Sequence, residues 1–441
     1  MFREDYLFIL DQYVRDKMAI ERDKYKDYNK IILDHLAEYY DEDVNKQILL
    51  GGPYGLSYMS DYEVELSEIT YHLYSNKALN HAFILANKMD QYTTERENYF
   101  VVMKSTIANK IFDIFVNNIH LVRLYRVLLA DVDITSVMGY EININNKQKI
   151  NCINENVYLM EMYSKLYNPK YVGEWNDLLI QESSIFIDEE LKETEIEYKD
   201  NPTEFEIMNK FIKNNNEIIL IGEHAIYMYA MVDYQIIKCI TNKHFKDLIK
   251  ELKKIFNKYE ITYNYSNIGL TIDDNLMRMS VKFNGKEVMH IFNSAQYELI
   301  PYNIIKKEDD FIQVGSPFVI MKFMYIDLFI IQILVEKNIV NENLYDVKKK
   351  KHNIIINKFR KLLIDDTTVI NSSNRKITRT IIDQNKAKEI APIFQTKNYI
   401  GIHKDEIIEQ KIKLISGDRI MDYYPKKYKR EQGIYRELPW L

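Results

Sequence analysis

Gln47-Ile-Leu-Leu-Gly-Gly-Pro-Tyr-Gly-Leu runs from a short apolar stretch into a glycine turn, and the same grammar returns at Glu217-Ile-Ile-Leu-Ile-Gly-Glu-His-Ala-Ile-Tyr-Met-Tyr, with Gly222 in the place of Gly51. Each stretch reads as a strand, a turn and the start of a helix. Outward from each, the order of segments repeats. An amphipathic helix is expected over Ala78–Gln91 in the first copy and His244–Tyr259 in the second. β-rich segments follow at Tyr99–Met103, Lys110–Val116 and His120–Leu129, then at Tyr259–Tyr265, Met277–Phe283 and Glu287–Phe292. Arg123 and Arg278 fall at comparable places in the two series. Each copy closes on a helix, Asn156–Tyr167 and Phe318–Val335. This predicts an α+β protein made of two similar units from an internal duplication.

The composition agrees with a folded chain of more than one core. The 441 residues are 46% hydrophobic and 13% aromatic, enough apolar surface to exclude disorder, while 12 Gly and 8 Pro exclude collagen-like and low-complexity classes. A net charge of -6 excludes a strongly basic nucleic-acid coat but leaves room for a local basic groove. Two distant cysteines, Cys152 and Cys239, in a chain that shows no signal peptide, support neither a disulfide framework nor a zinc site and suit a reducing cytosol. Phe318–Val335 nearly reaches membrane-spanning length, but Lys322, Asp327 and Gln332 interrupt it, so a buried helix and no membrane partner are expected.

A strand, glycine turn and helix N-terminus together suit a phosphate. Gly51-Gly52-Pro53-Tyr54-Gly55 matches neither a P-loop nor a Gly-x-Gly-x-x-Gly dinucleotide turn. It comes closer to the nucleotidyltransferase signature of the polymerase-β type, in which Gly-Gly or Gly-Ser precedes two carboxylates spaced two apart on a strand. Here Gly51 and Gly52 would bind nucleotide, and Asp61 and Glu63, expected on a strand and facing the same way, would hold metal, with Asp113 as a third carboxylate. The competing reading is that Ser60–Glu68 is an acidic, solvated run. The second copy offers only Asp233-Tyr234-Gln235 and His290, so it reads as a scaffold or RNA-binding half. Gly-x-Ser-x-Gly, His-Glu-x-x-His and EF-hand patterns are absent from the sequence. Lys426, Lys427, Tyr428, Lys429 and Arg430 interleave cations with an aromatic ring, as a single-strand RNA binder would.

Over most of its length the chain resembles the poly(A) polymerase catalytic subunits of large cytoplasmic DNA viruses, of the mimivirus and asfarvirus type and more distantly the poxvirus enzyme. The resemblance rests on Leu49-Leu-Gly-Gly, Tyr71-His-Leu-Tyr-Ser, Ala78-Leu-Asn-His-Ala-Phe, Tyr158-Leu-Met-Glu-Met-Tyr, Ile221-Gly-Glu-His-Ala, Ile291-Phe-Asn-Ser-Ala-Gln-Tyr and Ile400-Gly-Ile-His-Lys-Asp-Glu. It implies two tandem nucleotidyltransferase-like units with added helices: residues 1–187, a charged connector at 188–202, and a degenerate copy at 203–441. It also implies adenylate transfer from ATP to the 3′ end of single-stranded RNA with two Mg²⁺ or Mn²⁺ ions. The setting implied is the cytoplasmic viral factory and the virion, as a homodimer or as a heterodimer with a related subunit. The chain departs from the family pattern where acidic residues are expected, at Thr70-Tyr71-His72 and at His290. Two functions therefore stand side by side: an active poly(A) polymerase, and a catalytically inactive subunit that binds RNA or pairs with an active chain.

Overall fold

The computed structural model describes residues 17, 20–40, 47–64, 70–92, 100–104, 111–117, 119–127, 129, 132–144, 148–166, 175–185, 210–212, 215, 217–230, 236–256, 260–267, 276–283, 285–294, 297, 300–307, 310–364 and 381–383. The expected connector at 188–202, Asp233 and the basic group Lys426–Arg430 lie outside them. The described chain forms two compact units. One holds the residues up to Tyr158 plus Trp175–Ile185, and the other holds Leu159–Leu166 and the residues from Lys210 onward.

The first unit runs α1 (Tyr28–Glu38), β1 (Ile48–Gly51), α2 (Gly52–Met59), β2 (Tyr71–Ser75), α3 (Ala78–Tyr92), β3 (Phe100–Lys104), β4 (Ile111–Val116), β5 (Ile119–Arg126), α4 (Ile134–Met138), β6 (Gly139–Ile144), β7 (Gln148–Ile153), α5 (Glu155–Leu166) and α6 (Trp175–Ile185). α5 begins here and passes into the second unit after Tyr158. The second unit continues with β8 (Ile219–Ile221), α7 (Gly222–Ala230), β9 (Ile237–Thr241), α8 (Phe245–Ile255), β10 (Ile261–Asn267), β11 (Met277–Phe283), β12 (Lys286–Asn293), β13 (Tyr302–Lys307), β14 (Asp310–Gly315), α9 (Pro317–Glu336), α10 (Glu342–Ile364) and β15 (Ile381–Asp383).

The duplication is visible in the topology. The first sheet has the order β3-β4-β5-β2-β1-β7-β6, and the second has β10-β11-β12-β9-β8-β14-β13, extended by β15. Strand directions match as well: β1 is antiparallel to β2 and parallel to β7, as β8 is to β9 and β14. β2 runs parallel to β5, and β9 to β12. Even the irregularity is shared, since the register slips after Ile114 in the β4–β5 pair and after Val281 in the β11–β12 pair.

Register then fixes which residues correspond. Gly51 faces His72 across β1 and β2, and Ile221 faces Lys238 across β8 and β9, so Gly222 corresponds to Gly52 and not to Gly51. His72 is level with Arg123 on β5, as Lys238 is with His290 on β12, and Arg123 and His290 are level with Asp113 and Ser280. Arg278 lies on β11, level with Phe292, and is not the counterpart of Arg123 as the local sequence suggests. The similar Arg-containing stretches belong to different strands because pairing, not local spelling, sets register.

Alternation along the strands builds the core. In β2, Tyr71 and Leu73 pack with Ile32 and Leu36 of α1 and Ala82, Leu85 and Met89 of α3, while His72 and Tyr74 point to the opposite face. α9 is long and apolar enough to cross a membrane, but it is buried from Pro317 to Ile330, as expected for a core helix. Phe323 of α9 meets Phe292 of β12 edge-on at 5.1 Å. Cys152 on β7 and Cys239 on β9 are free and buried, one in each unit.

Candidate functional site

The two glycine turns, and the strands that face them, define the centres to be assessed. Gly52 and Gly222 sit at φ +64 and +65, the left-handed region that an L side chain resists. In the first turn a Cβ on Gly52 would fall 2.9 Å from Cγ of His72, and one on Gly51 would overlap the Tyr74 ring. In the second turn a Cβ on Gly222 would fall 2.8 Å from Cδ of Lys238. Both turns are thus packed directly against the side chain that β2 or β9 presents to them.

In the first unit that side chain belongs to a network. The Tyr125 hydroxyl lies 3.1 Å from Nδ1 of His72, and the Tyr125 ring stacks on Tyr74 at 4.8 Å. Arg123 grips Asp113 with both arms, Nε donating to Oδ1 at 2.8 Å and Nη2 to Oδ2 at 3.2 Å. Nε2 of His120 reaches the same Oδ1 at 2.9 Å, and its ring stacks on Phe115. Burial works against ionisation of Asp113, but His120 and Arg123 outweigh it and hold the carboxyl well below the usual range. Burial pushes the His120 imidazole down.

The second centre replaces this network with a buried ion pair. Nζ of Lys238 donates to Asp327 of α9, and both side chains are under one-tenth exposed. Glu223, the second residue of α7, is buried 3.4 Å from Lys351 of α10. Burial alone would lower Lys238 and raise Asp327 and Glu223. Their mutual attraction reverses each shift, so all three stay charged. His352 of α10 is bonded through Nδ1 to the Lys348 carbonyl at 3.0 Å, and burial and Lys238 lower its pKa to about 4. Nε2 of His290 lies 3.0 Å from Oε1 of Glu287, within ion-pair range but without hydrogen-bond alignment.

The structure corrects the placement of the expected carboxylate pair. Asp61 and Glu63 are not on a strand: they follow the end of α2 in irregular backbone, and both are exposed. Around them, Ser60 Oγ accepts from the Tyr62 N–H, and Gln181 of α6 donates to the Tyr62 hydroxyl. The strand facing the turn forms instead at Tyr71–Ser75. Two-apart positions at the start of that strand carry Thr70 and His72, whose neighbour on β5 is Arg123. Gly51 and Gly52 lie where the sequence predicts, at the β1–α2 turn. Asp113 is on β4, committed to Arg123 and His120.

Among the described residues, the donor set beside the turns does not fit a pair of divalent ions. The side chains level with one another beside the turns are imidazole and guanidinium in the first unit, and ammonium and imidazole in the second. Hard divalent cations require convergent oxygen ligands, and positive neighbours repel them. Among the described residues, no group of three or more His, Cys, Asp or Glu side chains is arranged to hold a metal.

These paired sheets, each with its glycine turn, are a duplicated nucleotidyltransferase fold. The structure is similar in fold to the crystal structure of the Megavirus polyadenylate synthase, with a TM-score of 0.59 and 15% identity, covering 90% of this chain and 84% of that one. No family model matches the chain. In sequence it is similar to an uncharacterized protein of African swine fever virus. Tick and warthog isolates from South Africa and Namibia are each 24% identical over 291 residues, 60% of this chain and 69% of the relative. A Malawian tick isolate gives 24% over 289 residues.

Sequence reasoning points to Asp113 as a third carboxylate but misses its partner Arg123, His72 and the Lys238–Asp327 pair as parts of a site. One signal was present: Asp327 interrupts the apolar run of α9, and Lys238 interrupts that of β9. A lone cation in one buried run and a lone anion in another call for each other.

Proposed function

We propose that this chain is a non-catalytic, nucleotidyltransferase-fold member of a viral polyadenylation apparatus, retained to bind nucleotide or RNA and to pair with a second subunit, related or identical. One observation carries the reading: among the described residues, the strands facing the two glycine turns present His72 and Lys238, level with Arg123 and His290, where metal-mediated adenylyl transfer needs free carboxylates. The setting is the cytoplasmic viral factory and the virion, in keeping with relatives from African swine fever virus. The likeness to the Megavirus polyadenylate synthase favours the other reading, an active enzyme using ATP and divalent metal, and one experiment separates the two.

Labelled single-stranded RNA is incubated with the full chain, Mg²⁺ or Mn²⁺ and each nucleotide in turn, alongside Asp61→Ala/Glu63→Ala, while binding of ATP and oligoadenylate is measured with and without EDTA. The expected result is no extension above background, with binding that EDTA leaves in place. ATP-selective extension, lost by orders of magnitude in the double variant, would instead identify an enzyme whose metal site is assembled from Asp61 and Glu63.

A further inference from the structure

The two sheets differ at one edge. In the second unit β13 is covered by β15, which runs parallel to it and sets Ile381, Ile382 and Asp383 level with Ile304, Ile305 and Lys306. In the first unit β6 ends the sheet, with no strand beyond it among the described residues. Register shows that the two edges correspond. Cys152 pairs with Leu50 as Val314 pairs with Leu220, and these two residues face Tyr140 on β6 and Asn303 on β13. Glu141, Ile142 and Asn143 therefore occupy the places that carry β15 in the second unit. At the far ends of the sheets, β3 and β10 agree in being outermost, so the β6 edge is where the copies part.

An open edge is a template for another strand, and β6 lacks the usual guards against one. Gly139-Tyr-Glu-Ile-Asn-Ile carries neither proline nor lysine, its pairing with β7 runs without a bulge, and its one charge, Glu141, is paired with Lys149 at 2.7 Å. Ile142 and Ile144 belong to the core, so a strand laid beside β6 meets an apolar row on one face and a polar row on the other. The chain spells such a strand twice. Ile381-Ile-Asp-Gln, which forms β15, returns as Ile407-Ile-Glu-Gln, the only Ile-Ile pair after β15. The 23 residues between Asp383 and Ile407 extend to about 80 Å, a tether long enough to return to another sheet.

We propose that Ile407–Glu409 docks on the open edge of β6 as a parallel strand of the same chain, with Ile407, Ile408 and Glu409 level with Glu141, Ile142 and Asn143, the register that β15 keeps on β13. Ile408 then lies beside Ile142 on the core face. Glu409 joins the row of Asn143 and Lys149, as Asp383 joins that of Lys306. The basic run Lys426–Arg430 begins 17 residues after Glu409, so docking tethers it to the first unit. This goes beyond the function proposed above and does not depend on whether the chain extends RNA.

Hydrogen exchange of the full chain should show the β6 amides protected. Ile408→Pro, which removes a strand N–H, should speed their exchange at least tenfold while β1, β2 and β13 keep their protection. Disulfides read the register: Asn143→Cys/Glu409→Cys should close a bond within one chain, whereas Asn143→Cys/Glu406→Cys, three residues off and on the opposite face, should not. Cys152 and Cys239 are buried and do not compete. Unprotected β6 amides in the parent, exchange unmoved by Ile408→Pro, equal yields from the two cysteine pairs, or a disulfide formed only between chains would each overturn the proposal.

Discussion

Asp327→Ala is expected to lower unfolding stability by about 3–5 kcal/mol, because it strands the Lys238 ammonium where water cannot reach it. Lys238 is 8% exposed and Asp327 6% along their side chains, and Glu223 is the nearest other anion in the same cluster. Glu223 is itself shared with Lys351, so it compensates only in part. Equilibrium unfolding in urea, followed by far-UV circular dichroism, reads the loss directly as a shift of the midpoint. The companion variant Lys238→Met/Asp327→Leu removes both charges and should recover most of the loss, since a buried pair contributes little net stability over well-packed apolar residues. A single variant within about 1 kcal/mol of the parent would show that the pair is solvated and the second centre open.

Acid should weaken the fold well before the carboxylates titrate. His352 is held down to about 4 and His35 to about 3, against an ordinary 6.5, chiefly by burial. For His35 the neighbouring His81 ring, 3.1 Å away, and Lys88, 3.2 Å away, add to the effect. In both cases the folded chain keeps a neutral imidazole that the unfolded chain protonates. The unfolded state therefore binds more protons below pH 6.5, and stability falls as the pH falls. The contribution is complete above about pH 6.5 and drains away towards the folded values, at up to about 1.4 kcal/mol per pH unit for each group. Unfolding free energies from urea titrations at pH 7.5 and 4.5 should differ by several kcal/mol, seen as a lower midpoint at pH 4.5, and His35→Gln should remove part of that slope. Equal midpoints at the two pH values would mean that neither ring is sealed from water. Asp113, held low by Arg123 and His120, keeps its full contribution above the ordinary carboxylate range and loses it only as the pH falls below that range.

Much of the fold was legible because it is written in local periodicities. The glycine turns, the amphipathic α3 and α8, the strand clusters and the closing helices α5 and α9 all follow from burial on one face or one stripe, and the duplication makes each a check on the other. The centres were less legible, for two reasons. Asp61 and Glu63 had the right chemistry and spacing, and Tyr62 and Val64 even alternate with them as a strand would, yet the backbone there is irregular and the strand facing the turn forms later, at Tyr71–Ser75. The residues that do face the turns acquire meaning only through register: His72 matters because Gly51 pairs with it, and Arg123 because it lies level with His72. Lys238 and Asp327 meet across 89 residues, a separation that no local pattern encodes.

Cys152 and Cys239 fall one to each unit, both unpaired and shut inside their sheets, with burial pushing each thiol up. A thiol in that condition is inert to alkylating reagents until the strand that carries it separates from its neighbours. The chain therefore carries two internal clocks. Cys152, paired in register with Leu50, times the opening of the first half, and Cys239, between Leu220 and Ile291, times the second, so the kinetic independence of the halves can be followed without adding a probe to either.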